Sequence, residues 1–114
     1  VFRNRRFGAA PASPTRPVLA RPVLQQTMSR HASVVRDDTG LGLLIDRLDT
    51  ATPRIITSRT MFEDAALTTV AGALAAAARA RTETRGSHHR RDFPDTDPAQ
   101  AASIVCGPVT AGCA

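Results

Sequence analysis

The sequence predicts an all-α fold: a three-helix up-down bundle with a disordered basic N-terminal arm and an irregular C-terminal tail. Three observations predict it. Apolar residues recur at helical spacing in three separate stretches. Each stretch meets a capping residue, a glycine or a proline at its expected ends. Aromatic side chains are limited to four phenylalanines, so a core must come from aliphatic side chains at close helix contacts.

Residues 1–15, within "VFRNRRFGAAPASPTR", are basic, rich in Pro and Ala, and aperiodic; they read as the disordered arm. Residues 16–102 form the expected helical domain. Its first helix is predicted over Pro22–Arg36, with Leu24, Met28, Ala32 and Val35 on one face and Pro22 in the first turn, where a missing N–H costs nothing. The second runs over Thr39–Asp49, capped by Asp38 or Thr39, with Leu41, Leu44, Ile45 and Leu48 spaced i, i+3, i+4, i+7. The third is the longest, Arg59–Arg85. Ser58 is its cap, Gly86 its left-handed stop, and Leu67, Val70, Leu74 and Ala77 its buried face. Residues 103–114 form the irregular tail, in which Ser103–Cys106 could supply one strand with nothing to pair with.

The chain has 114 residues and a net charge of +5. All of its positive side chains are arginines. A phosphate binder commonly mixes lysine with arginine, so a solvated basic surface is the simpler reading and nucleic acid is not the expected partner. No purely apolar run approaches the ~20 residues of a membrane span, and the prolines after Asn4–Phe7 leave no apolar core for an export signal. A cytoplasmic setting follows, with Cys106 and Cys113 as free thiols.

Candidate chemistry is sparse. His88 and His89 are adjacent and cannot easily share an ion; with His31, Cys106 and Cys113 they match no zinc spacing. Ser87–His88 has no orienting third residue. The glycines are scattered, with no phosphate loop after a strand. Catalytic, cofactor-binding and metal residues are therefore not expected. The segment "RTETRGSHHRRDFPDTD" (residues 81–97) is different. Glu83, Arg85, Arg90 and Asp92 mix both signs, while Gly86 can turn the chain and Phe93–Pro94 adds an apolar anchor. This combination favours a loop laid against a second surface.

At this loop the chain resembles the C-terminal helical domain of the L-aspartate oxidases, in the succinate dehydrogenase/fumarate reductase flavoprotein family. That pattern ends a long helix with Arg-x-Glu-Ser-Arg-Gly-x-His-x-Arg-x-Asp-Tyr-Pro. Here it reads Arg81, Glu83, Thr84 for serine, Arg85, Gly86, His88, Arg90, Asp92, Phe93 for tyrosine, and Pro94. The similarity extends back through "MSRHASVVRDDTGLGLLIDRL" and spans about Arg16–Ala102, with "RHASVVRD" most similar to actinobacterial, especially mycobacterial, versions. Residues 1–15 and the cysteine-bearing tail depart from the pattern.

The resemblance implies a fragment: a domain that packs on FAD and capping domains lying outside this sequence. FAD belongs to the parent enzyme and not to this chain. The parent converts L-aspartate to iminoaspartate for quinolinate and NAD synthesis, which makes quinolinate synthase a pathway partner. Glu83, Arg85, Gly86, His88, Arg90, Asp92 and Phe93 become the domain-docking residues. A rival reading is a stand-alone basic helical module that binds nucleic acid or another protein.

Overall fold

A computed structural model describes residues 15–106. The three expected helices form and hold about half of these residues, but the fold is not purely helical. Four short strands pair into two small sheets. In chain order the elements are β1 (Thr15–Val18), α1 (Arg21–His31), β2 (Val35–Arg36), α2 (Asp38–Asp49), β3 (Thr52–Ile55), α3 (Arg59–Ala80) and β4 (His89–Arg90), with a short 3₁₀ turn at Pro98–Gln100.

Strand β1 pairs antiparallel with β3, Thr15 facing Ile55 and Val18 facing Thr52. Pro17 stands opposite Pro53, so the two missing amide donors fall at one position of a ribbon that is all edge, where proline is tolerated. Helix α1 starts within one residue of Pro22 but stops at His31, five residues before the expected Arg36. The β-branched pair Val34–Val35 leaves the helix because a better partner exists. Strand β2 runs parallel to β4, with His89 N–H donating to the Val34 carbonyl (3.1 Å) and Arg91 N–H to that of Arg36 (2.7 Å).

Asp37, rather than Asp38 or Thr39, caps α2: its carboxylate accepts from the Gly40 amide at 2.7 Å. Ser58 caps α3 as expected, accepting from the Met61 amide at 3.1 Å. Helix α3 ends at Ala80 instead of Arg85, and Gly86 is not its stop. With φ of +60°, Gly86 turns a small hairpin closed by two bonds between Arg85 and His88, of 2.8 and 3.0 Å.

The core gathers Leu19, Leu24, Leu44 and Leu48 around Ala71 and Ala75, with Met28 and Ile45 partly buried against them. Leu41, Ala65 and Ala78 are also buried. Burying each leucine contributes roughly 1.5–3 kcal/mol. Four residues expected inside are not: Val35 is 47% exposed, Leu67 42%, Val70 61% and Leu74 38%. Val35 moves out with its strand. The other three move out because α3 turns its alanine side inward, where small side chains let the leucines of its neighbours approach the helix backbone closely. By length and composition alone α3 could cross a bilayer, although no purely apolar run of that length was expected; Ala71 and Ala75, which raise its hydropathy, pack in this core.

Ser103–Cys106 does not form the strand considered for it. Cys106 is disulfide-bonded, which corrects the expectation of a free thiol there. The disordered-arm expectation for residues 1–14 and the thiol expectation for Cys113 lie outside the described residues.

Candidate docking site: the loop after helix α3

The end of α3 leaves backbone carbonyls without helical donors, and the loop supplies them. Arg90 is 1% exposed and folds back under the helix end. Its Nη1 donates towards the carbonyls of Ala78 (3.1 Å), Arg79 (3.0 Å) and Arg81 (3.1 Å). A cation at the negative end of the helix dipole is favourable in itself. The remaining guanidinium edge grips Asp92 with two bonds of 2.8 Å, Nε to Oδ1 and Nη2 to Oδ2, the bidentate geometry that is strongest for this pair. Asp92 Oδ2 also accepts from the Asp38 amide at 3.1 Å. One arginine and one aspartate thus tie the C-terminus of α3 to the N-terminus of α2. Arg79 repeats the tie from the helix surface, its Nε 2.9 Å from Asp38 Oδ1.

Glu83 is fully buried and organises the second half of the loop. Its carboxylate accepts from Arg85 Nε (2.9 Å) and Nη2 (3.1 Å), from the Asp97 amide (2.7 Å) and from Arg81 Nη1. Arg81 continues outward to the carbonyls of Gln100 and Ala102, which fastens the chain after the 3₁₀ turn. The Arg85 guanidinium beside Glu83 holds its carboxyl well below the usual range, at about 2; burial opposes this, and the Asp97 and Arg81 donors reinforce it. Asp92 is likewise lowered to about 2, chiefly by Arg90.

His88 bridges two segments. Its Nδ1 lies 2.9 Å from Arg36 Nη1, and its Nε2 lies 3.1 Å from the Arg81 carbonyl. A guanidinium can only donate and a carbonyl only accept, so the contacts select the neutral ring protonated on Nε2. Burial is the main cause that pushes its pKa down. Thr84, between these groups, accepts from the Arg90 amide (3.0 Å) and donates to the Phe93 carbonyl (2.9 Å). Phe93 remains 43% exposed, with the Arg90 guanidinium 5.1 Å over its ring.

The structure therefore brings together all seven residues singled out in the sequence, and it directs most of their polar groups inward. Sequence reasoning missed Arg36, Asp38, Arg79, Thr84, Asp97 and Gln100 as partners. Asp97 was discoverable, since Asp-Pro-Ala is a cap before a helical turn, and its carboxylate accepts from Ala99 N–H at 3.0 Å. Arg36 carried no such signal, because its partner lies 52 positions away. Among the described residues, no group of three or more His, Cys, Asp and Glu is placed to hold a metal ion.

Residues 57–106, which hold α3 and this loop, match the family "Fumarate reductase flavoprotein C-term". The class of protein that this part of the chain is similar to is the flavoprotein C-terminal domain. Within that class the similarity is to L-aspartate oxidase. The chain is 50% identical over 91 residues to the L-aspartate oxidase of Mycobacterium leprae (strain TN), covering 80% of this chain and 17% of that protein. It is 53% identical over 87 residues to that of Mycobacterium tuberculosis (strain ATCC 25618 / H37Rv), covering 76% and 16%. With that of Rhodospirillum rubrum it shares 40% over 88 residues, covering 75% and 30%. The chain matches the C-terminal region of these enzymes and spans only about a sixth of the length of its mycobacterial relatives. No solved structure matches it.

Proposed function

We propose that this chain is the C-terminal docking domain of an L-aspartate oxidase, the FAD enzyme that converts L-aspartate to iminoaspartate in NAD biosynthesis, and that it carries no catalysis of its own. On this reading its three helices act as a small up-down bundle whose sheets pin the connections. It works in the cytoplasm against the FAD and capping domains, with quinolinate synthase as the next enzyme.

The supporting observation is the internal use of the loop's charges. A guanidinium that binds a dicarboxylate substrate must keep N–H groups free to converge on it. Those of Arg90 are spent on three carbonyls and Asp92, and Arg81 and Arg85 are spent on Glu83 and the following chain. Glu83, Arg85, His88, Arg90 and Asp92 thus brace the loop from within, Gly86 turns it, and Phe93 is the apolar group offered to the partner.

The test is to replace the matching 91 residues of the M. leprae enzyme with those of this chain and compare the joined protein with one lacking that region. The joined protein should retain FAD and oxidise L-aspartate. Flavin retention and activity no better than in the shortened protein would sink the reading.

A further inference from the structure

Helix α3 is apolar on both sides, and its larger side chains point the wrong way for a molecule alone. The inner face is Ala65, Thr68, Ala71, Ala75 and Ala78. The outer face carries Phe62, 54% exposed, together with Leu67, Val70 and Leu74. From Ala65 to Ala78 there is no charged residue, which leaves an uncharged stretch of ~20 Å at 1.5 Å per residue. Contiguous exposed apolar surface of this kind marks an interaction site. The chain's tail borders the same helix, with Cys106 Sγ 3.9 Å from the Ala73 carbonyl oxygen.

We infer that the outer face of α3, around Phe62, Leu67, Val70 and Leu74, is the main surface by which this domain docks on the flavin-bearing remainder of an L-aspartate-oxidase polypeptide. The inference rests on the docking reading above and names its surface. Two observations choose this occupant. In the mycobacterial relatives the matching segment is 16–17% of the protein, so that segment is attached there to a body about five times its own size. Self-pairing is opposed by the net charge of +5 on each copy, because like-charged molecules repel on association. The loop adds Phe93, while its buried charges fix the angle at which α3 leaves the domain.

The experiment uses the joined protein described above, with Val70→Glu, Leu74→Glu or the milder Val70→Ser in the segment from this chain. Each substitution is also made in the isolated chain. In the isolated chain the two Val70 substitutions should leave the urea midpoint unchanged, since Val70 already faces water, and Leu74→Glu should lower it only slightly. In the joined protein, Val70→Glu should lower the melting temperature and speed flavin loss by at least ~10-fold, the scale of removing one buried interface anchor, with Val70→Ser intermediate. A joined protein that holds FAD and tolerates all three substitutions overturns this inference and leaves the docking reading intact. A joined protein that fails to hold FAD without any substitution overturns both. Sedimentation showing an isolated-chain dimer dissolved by Val70→Glu would assign the face to a second copy. Binding to anionic lipid vesicles abolished by the same substitution would assign it to a membrane. Either result also overturns the inference.

Discussion

At the scale of single residues, Arg90 is the side chain on which the loop depends. It is almost wholly buried, and its charge is balanced by helix carbonyls and Asp92. Replacing it with methionine keeps much of the volume but leaves Asp92 without its bidentate partner and the helix end without its donor. Breaking one side of a buried pair costs roughly 3–5 kcal/mol, so Arg90→Met should shift the urea midpoint by most of the stability of a small domain; a shift under a tenth of that midpoint would refute the assignment. The carboxylates set the acid limit. Glu83 falls from 4.5 to about 2 and Asp92 from 3.8 to about 2 on folding. A carboxyl whose pKa is lowered by folding stabilises fully above its unfolded value and loses that stabilisation as pH falls through the folded one. Stability should therefore decline between about pH 4.5 and pH 2. The Glu83→Gln and Asp92→Asn variants should be less stable at pH 7 and change less across that window, as urea titrations at each pH would reveal. His88 acts in the same direction at higher pH, because its depressed pKa makes protonation below its ordinary 6.5 unfavourable in the fold.

At the scale of elements, α3 makes an inverted prediction. Ala75 is fully buried beside the leucines of α1 and α2, and enlarging it to leucine should destabilise the isolated chain by about 1–3 kcal/mol through overpacking. Val70→Ser on the opposite face should change stability by less than about 0.5 kcal/mol. A larger loss at Val70 than at Ala75, measured by urea unfolding, would mean that α3 packs the other way round. The same inversion explains what the sequence could and could not reveal. Periodicity located all three helices, and Leu24, Leu41, Leu44 and Leu48 are buried as their spacing required. Periodicity could not orient α3, since alanines on one side and leucine, valine and phenylalanine on the other are both apolar. Larger side chains bury more area, so the sequence alone points to them as the core. The strands were hidden for a different reason. They are two to four residues long, two of them contain proline, and their partners lie dozens of positions away, as Thr15 does from Ile55. No local pattern encodes such a pairing. The loop was legible as a cluster because its charges sit within a dozen residues, but which charge meets which was decided by where α3 ends, five residues earlier than expected.

At the scale of the whole molecule, the three helix starts decide whether the isolated chain can hold the flavin of its relatives' chemistry. A dinucleotide pyrophosphate is bound where a strand turns tightly into a helix and leaves the first amides free to donate. Among the described residues three strands lead into α-helices, and each turn is already committed. Between β1 and α1 the turn is Leu19–Ala20 with Pro22 in the first turn, so one amide is missing and no glycine lets a phosphate approach. Between β2 and α2, the Asp37 carboxylate occupies the Gly40 amide and Asp92 that of Asp38; both carboxylates would repel a phosphate. Between β3 and α3, Ser58 takes the Met61 amide. The isolated chain should accordingly show no quenching of FAD fluorescence at micromolar concentrations and no peroxide release with L-aspartate, whereas the joined protein should show both. Removing the Asp37 cap with Asp37→Gly should not create flavin binding either, because Asp92 remains on the helix start. Stoichiometric FAD retention by the unmodified 114-residue chain through gel filtration would contradict the docking assignment and require a flavin site formed by other backbone amides.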